Sequence, residues 1–151
     1  MKKIIALVVF TMLISQLIRP AKNLETTTSN TDIFNQITAD AEVVSLVKSA
    51  CYDCHSNTTQ YPWYSQIAPA SWWIAHHVNE GKEHLNFSEW TGYSPEKAAH
   101  KLRECFEEVA KEEMPLKSYT WLHQEAQLTE GERAKLVAWF KKSEKSLKQT
   151  K

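Results

Sequence analysis

The strongest constraint on the chain is a run of five residues, Cys51-Tyr52-Asp53-Cys54-His55, which reads C-x-x-C-H. Each fixed position has a chemical reason: two thiols can add across the two vinyl groups of a haem while the adjoining imidazole binds its iron. A chain that carries the porphyrin covalently can use it as part of the core, so a small domain need not enclose it in a globin-sized fold. The same residues could serve three other chemistries. A thioredoxin-like dithiol needs a strand leading into the motif within a βαβ unit. Here Val43, Leu46, Val47 and Ala50 recur at i, i+3, i+4 and i+7, which predicts a helix beginning near Thr38 or Asp40. Zinc held by Cys51, Cys54, Cys105 and one histidine has enough ligands but lacks a second closely spaced pair. A Cys51–Cys54 disulfide would close a short, strained ring.

The N-terminus agrees with the first chemistry. Met1-Lys2-Lys3 precedes an apolar stretch from Ile4 to Ile18 that ends at Arg19-Pro20, the pattern of an export signal. Covalent haem attachment in bacteria takes place outside the cytoplasm, so export makes it feasible. No small-x-small cleavage site and no lipid-carrying cysteine follows, which favours an uncleaved anchor over a removed signal peptide. As a helix the stretch would span roughly 22 Å against a hydrocarbon core of roughly 30 Å, so length leaves both outcomes open. The paired lysines would stay cytoplasmic, leaving a periplasmic chain tethered to the inner membrane. Residues 1–20 are thus expected to be signal or anchor, 21–38 a polar tether rich in Thr, Ser and Asn, and 39–147 the folded domain.

The 151 residues suit one domain. Basic and acidic residues number 18 each, and this zero net charge argues against nucleic acid as a partner. Six tryptophans beside only 3 glycines and 5 prolines favour an all-α domain with aromatic packing. Ile33, Phe34 and Ile37 are candidates to dock the end of the tether. Ser71 is placed to cap a helix through Trp72, Trp73, His76 and His77 that ends near Gly81, followed by an ordered loop over residues 86–90. Ser94-Pro95 opens a helix with Ala98, Leu102, Cys105 and Val109 on one face and His100, Lys101, Glu104, Glu107 and Glu108 on the other. Met114-Pro115 ends it and opens a loop through Tyr119, Trp121 and His123. Thr129 and Glu132 form a capping box for a last helix that buries Leu136, Val137, Phe140 and Leu147.

An electron-transfer haem needs a sixth ligand. Met114 is the first candidate, because Pro115 holds it in a loop between two helices and its thioether is flexible. His77 or His76 is the alternative; adjacent helical residues point about 100° apart, so at most one faces the iron. His84, His100 and His123 suit surface or hydrogen-bonding roles. Cys105, on an apolar stripe, suits a buried inert thiol. An open iron site would instead suit a haem-based sensor or a peroxidase-like protein.

Several segments in order resemble the bacterial haem-binding domain family related to class I cytochromes c: ACYDCHSN at 50–57, YPWY at 61–64, IAP at 67–69, NFSEW at 86–90, EMP at 113–115 and the final helix over 128–140. The resemblance spans about residues 30–145. It implies an all-α, cytochrome-c-like fold in which the first and last helices cross, thioether attachment through Cys51 and Cys54, and axial ligation by His55 and Met114. The expected cofactor is one covalent haem c, and the expected partners are redox proteins exchanging single electrons rather than substrates of an enzyme. Two places depart from the family pattern. Glu112 and Leu116 stand where members often carry glycine and proline, and the stretch from Ser71 to Trp90 is longer than in a minimal class I cytochrome.

Overall fold

The computed structural model describes residues 1–25 and 29–149, and among these the chain is helices and turns without a strand. The helices are α1 (Lys2–Ser15), α2 (Ile33–Gln36), α3 (Ala41–His55), α4 (Ala70–His84), α5 (Pro95–Ala110), α6 (Lys117–Thr120) and α7 (Glu130–Gln149). Short 3₁₀ turns lie at Trp63–Gln66, Phe87–Gly92 and Gln124–Ala126.

Local chemistry starts three of the long helices where the sequence places them. The Asp40 carboxylate accepts from the Val43 N–H at 2.8 Å, and Ser94 accepts from the Lys97 N–H at 3.3 Å. Thr129 and Glu132 bond reciprocally at 2.8 and 3.3 Å. Caps of this kind are each worth about 1 kcal/mol. Another long helix, α4, differs from expectation. It starts at Ala70, with Pro69 at the cap and Ser71 already inside, and it runs through Gly81 to His84. A glycine usually marks a helix end, but this one is retained inside the helix by a close approach described below.

The core gathers Val43 and Val47 of α3, Leu102 and Val109 of α5, and Leu136, Trp139 and Phe140 of α7 around Phe87 and Trp90. The densest pairing is α5 with α7, not the crossing of α3 with α7, although these two also touch. Leu102, Leu136 and Phe140 are fully buried between them, each burial contributing about 1.5–3 kcal/mol. Val137 and Leu147 pack at its edge.

Most of the expected tether is packed on the domain. Leu24 pairs with Thr58 in an antiparallel bridge, and Asn23 donates to the Ser56 carbonyl at 2.6 Å. Asp32 and Ile33 are fully buried. These side chains find partners that a solvated linker lacks; residues 26–28 of the stretch lie outside the described residues. The N-terminal apolar stretch forms the 14-residue α1, none of it buried. No helix among the described residues is long and apolar enough to cross a membrane, so the expected anchor is a helix shorter than a full span.

Candidate functional site

The C-x-x-C-H motif occupies the last turn of α3, where positions i, i+3 and i+4 share one helix face. Cys51, Cys54 and His55 therefore stand together, and the two intervening residues turn elsewhere. Tyr52 goes into the core, its hydroxyl donating to both oxygens of Asp32 at 3.0 and 2.9 Å. Its ring stacks against Phe34 and Phe87, with centroids 6.1 and 5.6 Å away. Asp53 reaches the opposite way, accepting from the Tyr119 hydroxyl at 2.8 Å and from the Gln60 N–H at 2.9 Å. The variable positions of the motif thus fasten α3 to the segments on either side of the site.

A cavity of about 520 Å³ opens over that helix face, within the range of roughly 300–1,000 Å³ usual for cofactor pockets. Cys51, Cys54 and His55 line it from α3, His77 from α4, Cys105 from α5, and Met114 from the loop before α6. All four residues first singled out are therefore brought to one cavity. Of the two alternative histidines, His77 lines it and His76 does not; the His76 side chain is 64% exposed and reaches Glu80 at 3.2 Å. His84 stands at the cavity edge, exposed. His100 lies on the surface against Arg103 and Glu104. His123 bonds to the Tyr64 hydroxyl at 2.8 Å and stacks on Tyr119 at 4.3 Å.

The geometry around His55 sets its chemistry. Nδ1 lies 2.8 Å from the Gly81 carbonyl oxygen and 3.2 Å from that of Leu85. Carbonyls only accept, so Nδ1 carries the proton and Nε2 keeps the lone pair a metal needs. Burial lowers the His55 pKa, the two carbonyl bonds offset part of that, and nearby His84 lowers it again, favouring the neutral ring. Gly81 also allows the approach: a Cβ there would lie 2.5 Å from the Cys54 carbonyl oxygen. α4 can hold His55 only because this position has no side chain.

The thiols are poorly suited to the competing chemistries. Burial, with Cys54 adding to it, pushes the Cys51 pKa up to about 12; burial and then Asp53 push Cys54 up to about 11. Burial likewise raises Cys105. Reactive dithiols need the opposite shift. All three cysteines are free, so Cys51 and Cys54 form no disulfide. Among the described residues the one cluster of three metal-type donors within coordinating distance of one another is His76, His77 and Glu80, with no cysteine in it.

Met114 is held by the end of α5. The Glu113 N–H bonds to the Glu108 carbonyl at 3.1 Å and the Glu112 N–H to that of Val109 at 3.2 Å, a Schellman motif. Its left-handed position is Glu112, at φ 62°. Arg133 of α7 then donates to the carbonyls of Val109 at 2.6 Å and Met114 at 3.3 Å. Sequence reasoning missed Arg133, although a cation in the first turn of a helix opposes the helix dipole and so hints at another use. It also missed that Lys101, Glu104 and Glu108, expected on the outer face of α5, line the cavity, with Lys101 bonded to Glu104 at 2.8 Å. Without the cavity in view, their charge reads as a solvated face.

A protein-family model described as "Haem-binding domain" matches residues 10–142. No curated protein and no solved structure matches the chain.

Proposed function

The chain belongs to the haem-binding domain family, and on that premise we propose that it is a c-type cytochrome. One haem would be held covalently through Cys51 and Cys54, with His55 and Met114 supplying ligands to its iron. The protein passes single electrons between redox proteins in the periplasm, tethered to the inner membrane by its N-terminal segment. The observation that carries this reading is the gathering at one cavity of the two thiols of the motif, the Met114 thioether, and the His55 imidazole, whose Nδ1 is already bonded to backbone carbonyls.

Bound there, haem supplies one-electron exchange at its iron. The chain's residues do the holding. The Gly81 and Leu85 carbonyls orient the His55 ring and make Nε2 more basic. Arg133 and the end of α5 restrain the Met114 segment. Leu85, Phe87, Val109 and Phe140 give the cavity an apolar wall for a porphyrin face, and Lys101, paired with Glu104, stands beside it. A His/Met pair favours a relatively high reduction potential.

Protein matured in a host that attaches c-type haem tests the ligand set. Its ferric form should be low-spin, with a methionine-to-iron charge-transfer band that vanishes in Met114→Ala. If the native band is absent and low-spin character is lost in His77→Ala instead, His77 is the ligand. A high-spin native ferric spectrum would replace the electron carrier with a sensor or peroxidase-like protein.

A further inference from the structure

The large apolar side chains exposed among the described residues are not scattered. Outside the N-terminal stretch and Leu24, every one lies in residues 63–73 or 116–122. Trp63 is 76% exposed, Trp121 85% and Leu122 64%. A second cavity, of about 170 Å³, joins the two segments, with Tyr64 and Trp73 contributed by one and Leu116 and Leu122 by the other. α1 leaves from the same surface. The Gln16 amide exchanges two hydrogen bonds with Ala68, at 3.2 and 2.9 Å, and the Trp72 indole donates to the Ile18 carbonyl at 2.8 Å.

We propose that this tryptophan-rich face seats in the headgroup region of the phospholipid bilayer, a proposal that rests on the membrane-tethered reading above. α1 is apolar around its whole circumference, so it inserts lengthwise instead of lying flat on the surface. The 14 residues of α1 cover roughly 21 Å of a roughly 30 Å hydrocarbon core, and a span that short draws its flanking residues, Gln16 to Ile18, toward the lipid. Those flanking residues are bonded to the face in question. Indole rings suit the boundary, with an apolar body for the acyl side and an N–H for the polar side. Arg19 and Lys22 stand at the junction as cations for lipid phosphates. The second cavity and the larger one share Asp53, Cys54, His77, Leu116 and Tyr119, so the seating also sets how the cofactor site is oriented toward the membrane.

Full-length, haem-loaded protein in vesicles of phosphatidylcholine and phosphatidylglycerol tests this with a nitroxide on Trp63→Cys or on Trp121→Cys. Lys145→Cys on α7 serves as the water-facing reference, and the unmutated protein gives the background from native cysteines. Accessibility to oxygen, relative to an aqueous nickel chelate, should be several-fold higher at 63 and 121 than at 145. Equal ratios at all three positions overturn the proposal. Shielding of 63 and 121 from both reagents also overturns it, because a protein surface would then cover the face. Flotation and the haem spectrum are read on the same sample. Protein that does not float overturns the tether and the seating together, whereas floating protein with aqueous labels overturns the seating alone.

Discussion

At the motif, three residues present chemistry and two provide anchorage, and the burial this produces has a measurable consequence. With its pKa raised from 9.0 to about 12, Cys51 in the haem-free chain carries about a thousandfold less thiolate than an ordinary cysteine below pH 9. Iodoacetamide at pH 8 should react with it at least about a hundredfold more slowly than with free cysteine, judged by that thiolate fraction. The rate should keep rising beyond pH 9, where free cysteine levels off; equal rates would mean that the site opens when empty. His55 gives a second pH dependence. Its folded pKa lies below the usual 6.5 because of burial, so on acidification the unfolded chain takes up the proton first. The stability it contributes is present above pH 6.5 and lost as pH falls through the folded value. The urea midpoint of the haem-free chain should drop over that window, and His55→Gln should flatten the slope. The three chemical positions were readable because helical spacing alone brings them together. The carbonyls that orient His55 were not, since backbone groups leave no mark in a sequence.

At the level of elements, the helices with local start signals were legible and the one set by tertiary contact was not. Asp40, Ser94-Pro95 and the Thr129–Glu132 box act within a single turn, so their meaning survives outside the fold. Gly81 resembles a terminator until α3 is placed against it. Gly81→Ala would drive a methyl into the Cys54 carbonyl, and backbone cannot step aside as a side-chain end can. The expected cost is about 1–3 kcal/mol, typical of overpacking, measured by urea unfolding; an unchanged midpoint would show that α3 and α4 separate freely. The opposite sign is expected at the end of α5. Glu112 holds a left-handed φ of 62°, a conformation that glycine adopts without the Cβ penalty. Glu112→Gly should stabilise the protein by about 0.5–1 kcal/mol once glycine's extra freedom in the unfolded chain is subtracted. A loss of stability in thermal unfolding would contradict that.

Across the whole molecule, the fold class was legible because composition and periodicity agree on helices, while the arrangement was less so. Pairing of α5 with α7 depends on which apolar faces meet, and each of the two helices presents a stripe that could equally have met α3. The docking of residues 29–38 depends on Asp32, whose burial is satisfied by Tyr52 from inside the C-x-x-C-H motif, a partnership between residues far apart in the chain. What these contacts serve is a cavity whose wall carries two thiols in the last turn of α3, and covalent haem is the claim on which the functional account rests. The direct measurement is a pyridine haemochrome spectrum of exported, matured protein after denaturation and acid–acetone extraction. One c-type haem should be retained per chain, and none in Cys51→Ala/Cys54→Ala. Haem that extracts from the unmutated chain, or a spectrum of the non-covalent type, would contradict it.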